Sequence, residues 1–141
     1  MEAECVHTIR GHLFNKAPIV SMMRYPDQNV FVTGDTDGGI ALSNAQTGKA
    51  LGKLPLHKAA VEGLCSLSGP LGGIASCSTD GIVAVWDLNT KSLRRQIQKE
   101  GPAANHIFSH PNQALLLTSH VSGSVHMWDT RLEDACVRTW Q

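Results

Sequence analysis

The sequence lacks the features that would point to a membrane, a polyanion or an exported protein. Twelve Lys and Arg balance twelve Asp and Glu, so the formal net charge is zero and there is no broad positive field to gather nucleic acid. No stretch approaches the roughly 18–20 apolar residues of a membrane span. The first five residues include two glutamates and lack the apolar h-region of a secretory signal. We therefore expect a cytoplasmic or nuclear protein that binds no membrane and is unlikely to bind nucleic acid.

Signatures of metal binding and catalysis are also missing. None of the four cysteines stands in a C-x-x-C pair, the spacing typical of structural zinc. Among the seven histidines, His106 and His110 fall on a strand and the turn beyond it, whereas His120 and His126 lie on opposite arms of one predicted hairpin. No nucleophile elbow, phosphate loop or paired-carboxylate motif occurs. We predict no metal, no cofactor, no catalytic residue and no enzymatic activity.

The sequence does contain an internal repeat, which decides the fold. Three segments align without gaps, and their last residues are separated by 43 and 42 positions. Their turn glycines, Gly38, Gly81 and Gly123, are separated by the same two intervals. The aligned segments are residues 31–44, 74–87 and 116–129.

Each aligned segment predicts a strand, a tight turn and a second strand. The flanks are β-branched and apolar, and the central Asp-Gly or Ser-Gly pair tolerates the positive φ that hairpin turns use. An apolar run before each hairpin and another after it add two strands to each repeat. These runs are 19–24, 61–67 and 103–108 before the hairpins, and 50–54, 93–97 and 136–140 after them. Residues 82–86 are apolar on both faces, which predicts a sheet covered on both sides.

These residues resemble the WD40 repeat family. Gly11-His12 matches the opening dipeptide of the repeat, and Trp86-Asp87 and Trp128-Asp129 match the closing one. The resemblance covers essentially the whole chain and implies a β-propeller, in which four-stranded blades pack radially.

The predicted fold class is all-β: a partial WD40 propeller of three four-stranded antiparallel blades plus one N-terminal strand. The repeats span about 11–54, 55–97 and 98–141, and residues 4–10 form the outer strand of a preceding blade. Propellers have about 4–8 blades, so the ring is incomplete. Two interpretations remain open: a piece of a longer propeller, or a short protein that completes a ring with copies of itself or a second chain.

The resemblance also implies a hydrogen-bond network within each blade, from a Trp through a Ser or Thr and a His to an Asp. Blade 2 matches best, although Leu56 replaces the usual glycine before the histidine. Blade 1 has Ser43-Asn44 in place of Trp-Asp, and blade 3 has Gln98-Lys99 in place of Gly-His and Ser122 in place of Asp. The predicted network residues are His12, Thr33 and Asp37 in blade 1, His57, Ser76, Asp80 and Trp86 in blade 2, and Thr118 and Trp128 in blade 3.

Four residues are candidate partner contacts. Phe14 and Lys16 lie in a loop three residues longer than its counterpart, and loops carry recognition; Phe14 could equally cap the blade. Residues 128–131 resemble the W-D-x-R ending of many WD40 substrate receptors of cullin–RING ubiquitin ligases, where the Asp and Arg face the adaptor. That motif makes Asp129 and Arg131 candidates, and the competing interpretation is that Arg131 pairs locally with Asp129 or Glu133.

The basic residues concentrate at 91–99, on or beside a predicted outer strand, where they are typical of a charged edge that prevents strand addition. The function we expect is that of a non-catalytic scaffold for protein–protein interaction. The alternative is a substrate-receptor subunit of a cullin–RING ubiquitin ligase that acts through residues 128–131.

Overall fold

The computed structural model describes residues 2–5, 17–25, 28–68, 72–132 and 134–141. They form twelve strands in three antiparallel sheets of four, which we call blades 1, 2 and 3. Blade 1 contains β1 (Ile19–Tyr25), β2 (Val30–Asp35), β3 (Ile40–Asn44) and β4 (Ala50–Leu54). Blade 2 contains β5 (Gly63–Ser66), β6 (Ile74–Cys77), β7 (Val83–Asp87) and β8 (Ser92–Gln98). Blade 3 contains β9 (Ala104–Ser109), β10 (Leu115–His120), β11 (Val125–Asp129) and β12 (Cys136–Trp140).

The predicted fold class is confirmed. Within each blade the strands follow one another in chain order, so every connection is a hairpin. The described residues contain no helix and form no closed ring. The described part of the chain therefore has no helix of the length and apolarity that crossing a membrane requires. The predicted strand over residues 4–10 lies outside the described residues from residue 6 onward.

The central turn of each blade uses its glycine as predicted. Gly38, Gly81 and Gly123 have φ of 94°, 81° and 87°, in the left-handed region that favours glycine. The aspartates before the first two glycines do not share this conformation, because Lys91 is the one non-glycine residue with positive φ among those described. In blade 2 the carboxylate of Asp80 accepts hydrogen bonds from neighbouring backbone groups.

Blade 2 is buried on both faces, as its uniformly apolar third strand predicts. Alternate side chains of a strand point to opposite faces, so Ile74, Ala84 and Trp86 pack against blade 1 while Ala75 and Val85 pack against blade 3. Burial of apolar surface at about 25 cal/mol per Å² makes these two interfaces the main stabilising contacts of the stack.

The faces of blades 1 and 3 that point away from blade 2 are less covered. In blade 3, β10 alternates between fully and partly buried residues, the pattern of a strand packed on one side only. Leu117 pairs with Phe108 on the far face, and Phe108 is 57% exposed. In blade 1, Met22 pairs with Thr33 on the corresponding far face and is 68% exposed.

Candidate functional site

The strongest candidate constellation on sequence grounds lies in blade 2, where one chain of hydrogen bonds joins four side chains. The Nε1 of Trp86 lies 2.8 Å from the Oγ of Ser76, which lies 2.7 Å from the Nε2 of His57. The Nδ1 of His57 lies 3.1 Å from a carboxylate oxygen of Asp80. The four residues that the sequence grouped in this blade are therefore brought together, across two strands, a turn and the loop that opens the repeat.

Donor and acceptor roles give these hydrogen bonds their direction. An indole N–H can only donate and a carboxylate can only accept, so Trp86 donates to Ser76 and the Nδ1–H of His57 donates to Asp80. Burial lowers the pKa of His57 below the ordinary 6.5 even though Asp80 acts in the opposite direction, so the imidazole is neutral at neutral pH. Its Nε2 then accepts the hydroxyl hydrogen of Ser76.

Asp80 also secures the turn of the hairpin. Its carboxylate accepts the backbone N–H groups of Lys58 and Ile82 at 2.9 Å each. Burial alone would raise the pKa of Asp80, but these two bonds and the neighbouring His57 lower it below its ordinary value. One carboxylate thus ties the opening loop of the repeat to the turn between β6 and β7.

Blade 3 contains an equivalent series of hydrogen bonds, but its histidine is not at the position that the repeat motif predicts. Trp128 donates its indole N–H to Thr118 at 2.9 Å, and the Oγ1 of Thr118 lies 2.7 Å from the Nε2 of His120. The Nδ1 of His120 lies 3.0 Å from the backbone oxygen of Pro102, which can only accept. His120 comes from the end of β10 rather than from the opening loop, and a carbonyl takes the place of the carboxylate. The signal available in the sequence was a histidine two residues after Thr118, on the same face of its strand.

Gln98, which precedes the position of the missing loop histidine, is the last residue of β8 and is buried. Its side-chain nitrogen donates to the backbone oxygen of Gly81 at 2.7 Å. This bond joins the end of β8 to the turn between β6 and β7. A longer contact of 3.5 Å from the same nitrogen to the backbone oxygen of Pro102 reaches the loop that opens blade 3.

In blade 1 the buried carboxylate is Asp35 rather than the expected Asp37. The Oδ1 of Asp35 accepts the backbone N–H groups of Asp37 and Gly39 at 2.8 Å each, and Asp37 itself is exposed. Thr33 is buried, as a network hydroxyl would be, whereas its expected partner His12 lies outside the described residues. Ser43, at the position of the tryptophans, is buried with no hydrogen-bond partner for its hydroxyl among the described residues.

The remaining candidate contacts fall in two places. Phe14 and Lys16 lie outside the described residues. Arg131 is bonded to Asp129 through two nearly parallel contacts, Nε to Oδ1 at 2.9 Å and Nη2 to Oδ2 at 2.7 Å. Hydrogen bonds from this guanidinium lower the pKa of Asp129 to about 2. The local pairing is the competing interpretation given for this motif, and the Arg131 side chain nevertheless remains 72% exposed.

The structure also brings His120 and His126 together, with ring centroids 4.2 Å apart and the rings tilted by 35°. The Nδ1 of His126 is buried with no hydrogen-bond partner among the described residues. Burial and the neighbouring His120 lower the pKa of His126. Nothing here resembles a metal centre: among the described residues, His, Cys, Asp and Glu form no group of three that could hold a metal ion.

The buried thiol of Cys77 and the partly buried thiol of Cys65 are protonated at neutral pH. Burial raises the pKa of Cys65 and of Cys77 to about 12. The thiolate is the nucleophilic form of cysteine, so neither side chain is activated for chemistry.

We predict that acid destabilises the fold through His57 and His126. Both have a folded-state pKa below the ordinary 6.5, so the unfolded chain binds more protons than the folded chain as the pH falls through about 6.5. The stability present above this pH is then lost progressively on acidification. Thermal unfolding followed by circular dichroism at pH 7.5, 6.5 and 5.5 and constant ionic strength should show a falling Tm.

The matched variant is His57→Gln, which cannot titrate in this range. Its Tm should start lower, because the network is weakened, but should fall less between pH 7.5 and 5.5 than that of the unmodified chain. A Tm that is flat over this range in the unmodified chain would contradict the assignment of neutral buried histidines.

The repeats match a described family. The model of the WD40 family (WD domain, G-beta repeat) matches residues 3–42 and 48–87. The second match runs from β4 of blade 1 through β7 of blade 2 and ends on Trp86-Asp87, so the family's repeat unit is offset from the blade by one outer strand.

Several curated proteins have sequences similar to this chain, and two of those described next match most of its length. The angio-associated migratory cell protein of Homo sapiens is 26% identical over 140 residues, covering 89% of this chain and 32% of that protein. WD repeat domain-containing protein 83 of Danio rerio is 30% identical over 120 residues, covering 84% of this chain and 38% of that protein. The target of rapamycin complex subunit wat1 of Schizosaccharomyces pombe is 40% identical over 63 residues, covering 45% of this chain and 19% of that protein. The first two of these relatives match most of this chain. The chain spans only about a third of the length of each of them.

Proposed function

Because the chain belongs to the WD40 repeat family, whose members generally act as scaffolds for protein–protein interaction, we propose that it is a non-catalytic scaffold on which other proteins assemble. The observation that carries this proposal is the hydrogen-bond network within the blades. Complete hydrogen-bond chains in blades 2 and 3 join strands, turns and opening loops, so the loops are presented from a fixed framework. A relative is named as a subunit of a target of rapamycin complex, which supports a role within assemblies.

We also propose that further blades cover the far faces of blades 1 and 3. Met22 and Phe108 leave apolar side chains exposed there, and such surfaces mark interfaces in soluble proteins. The covering blades would come from further sequence of the same polypeptide, from a second copy or from another protein.

The first expected partner contact is the loop that holds Phe14 and Lys16, proposed because it is three residues longer than its counterpart and carries an aromatic side chain. The alternative, adaptor binding by a cullin–RING ligase, depends instead on Asp129 and Arg131. No observation on the described residues favours that alternative, since Arg131 is bonded to Asp129.

One experiment tests these proposals together. The tagged chain is purified under native conditions from cytoplasmic and nuclear fractions of cells that make it, and light scattering with mass spectrometry gives the mass and composition of what elutes. We expect a complex heavier than the 15.2 kDa chain, with protein bound in fixed stoichiometry. In the double variant Phe14→Ala and Lys16→Ala we expect that protein to be lost at unchanged Tm.

Two further variants separate the alternatives. Lys49→Ala, on an exposed turn of blade 1, should retain every partner. Arg131→Ala should also retain them, and loss of a cullin adaptor with this variant alone would instead establish the ligase interpretation. A monodisperse 15.2 kDa particle with native strand content, from both fractions, would refute the scaffold and the covered faces alike.

A further inference from the structure

Two histidines of blade 3 lie in contact at the wall of an open groove between the outer strands of blades 2 and 3. His120 at the end of β10 and His126 on β11 have ring centroids 4.2 Å apart. His126 also contacts Trp128, with 5.5 Å between the ring centroids, and both side chains line the groove together with Gln98 and Pro102. Protons from the solvent therefore reach an imidazole that is packed against the hydrogen-bond network of this blade.

His120 cannot turn to serve His126, because both of its nitrogens are already engaged. Its Nδ1 lies 3.0 Å from the backbone oxygen of Pro102. Its Nε2 lies 2.7 Å from the hydroxyl of Thr118, which accepts the indole N–H of Trp128. Rotation of the His120 ring would break both contacts, so this ring offers His126 a surface to pack on but no hydrogen-bond acceptor.

The Nδ1 of His126 has no other acceptor. This atom is buried without a hydrogen-bond partner among the described residues, although the ring as a whole is partly exposed. A neutral imidazole carries one hydrogen, whereas an imidazolium carries a hydrogen on both nitrogens. A proton on His126 therefore leaves a charged N–H donor unpaired, which costs more than an unpaired neutral group. Consistent with this, burial and the neighbouring His120 lower the pKa of His126.

The surroundings of His126 hold no carboxylate placed to stabilise its charged form. The titratable and charged groups around it are His120 on β10, Cys136 on β12, and Arg95, Lys99, Glu100 and Arg131 along the groove. Only Glu100 among these is a carboxylate, and within the described part of the chain it makes no ion pair with His126.

We propose that His120 and His126 form a pH-operated latch, in which a proton taken up by His126 frees its ring from His120 and loosens the blade 3 wall of the groove. The unfolded or opened segment binds the proton more readily than the packed one, so the stability that is present above about pH 6.5 is lost as the pH falls. This histidine latch goes beyond the scaffold function, because it makes the order of one blade depend on pH.

The test follows hydrogen exchange of each blade by mass spectrometry at pH 7.5 and 5.5. Local opening exposes His126, whose pKa then returns to the ordinary 6.5, one unit above the lower pH. Proton uptake by this single group can therefore favour opening at most about tenfold. After correction for the intrinsic exchange rate, we expect the amides of residues 115–129 to exchange about fivefold faster at pH 5.5.

Two variants assign the acid response to His126. His126→Phe keeps a ring against His120 but cannot take up a proton, so the acceleration over residues 115–129 should be lost. His106→Phe removes an exposed histidine of the neighbouring strand β9 and should leave that acceleration unchanged. Residues 74–87 of blade 2, whose acid response depends on His57, should behave alike in all three chains.

Three results would overturn the histidine latch. One is an equal acid response over residues 115–129 in His126→Phe and in the unmodified chain. Another is loss of the response in blade 2 as well as in blade 3, since the opening would then be global. The third is an NMR titration of the His126 ring in the unmodified chain with a midpoint at or above pH 6.5, a measurement that decides the question even if His126→Phe fails to fold.

Discussion

Replacing Trp86 by Ala is expected to lower the free energy of unfolding by about 3–5 kcal/mol, the usual cost of removing a large buried aromatic side chain. Trp86 is 1% exposed and is the largest of the fully buried side chains. It packs in the cluster between blades 1 and 2 and also donates the first hydrogen bond of the blade 2 network. The substitution opens a cavity between two blades and leaves Ser76 without its indole donor. Urea unfolding followed by circular dichroism measures the change.

Two companion variants separate packing from hydrogen bonding. Trp86→Phe keeps a ring in the interface but removes the N–H, and should cost about 1–3 kcal/mol for the hydrogen bond. Trp140→Ala removes a tryptophan that is 42% exposed on β12, and should cost less than about 1 kcal/mol. An equal loss of unfolding free energy in Trp140→Ala and Trp86→Ala would contradict the assignment of Trp86 to a buried interface between blades 1 and 2.

The strands and turns of this chain were predictable because they depend on local sequence. Apolar runs bounded by glycine, proline, asparagine and aspartate predict strands, and the spacing of 43 and 42 positions between repeats gives the same four-stranded unit three times. The burial of blade 2 on both faces was also readable, since residues 82–86 have no polar alternation.

The repeat motif did not predict the histidine of blade 3, because the motif places its histidine at one fixed position in the sequence. The hydrogen-bond network itself requires only that an imidazole reach a suitable acceptor. Any imidazole that can place one nitrogen at Thr118 and the other at an acceptor completes the chain. His120 does so because the chain brings the carbonyl of Pro102 beside β10, across eighteen residues of sequence. A contact of that kind follows from tertiary structure and has no local signature.

The same reasoning explains Asp35 and Asp37 in blade 1. Both are aspartates near one turn, and their spacing from Gly38 is compatible with either as the capping carboxylate. In the structure Asp35 ends β2 on the buried side and accepts two turn N–H groups, which leaves Asp37 at the surface. Strand alternation does not decide between them, because they are two residues apart. Asp35 is the last residue of β2, whereas Asp37 lies in the turn beyond it.

Replacing Gly38 by Ala is expected to cost about 3 kcal/mol or more, because two separate penalties coincide. The φ of 94° lies in the left-handed region, where a side chain costs about 1–2 kcal/mol. A Cβ at this position would also lie against the backbone oxygen of His57, and 3.1 Å from that of Ala59, in the opening loop of blade 2. Backbone atoms cannot turn aside as side chains can, so the hairpin of blade 1 must move away from blade 2.

Gly123→Ala is the matched control, since Gly123 occupies the same place in the blade 3 hairpin with φ of 87° but has no described atom within 4 Å of an added Cβ. It should lose only the conformational part, about 1–2 kcal/mol. The difference between the two variants then measures the contact between blades. Because His57 also holds Ser76, a displaced opening loop should loosen the blade 2 network, and the indole N–H of Trp86 should exchange with deuterated water faster in Gly38→Ala than in Gly123→Ala. Equal unfolding free energies and equal exchange rates in the two variants would mean that the first hairpin does not rest on the second blade.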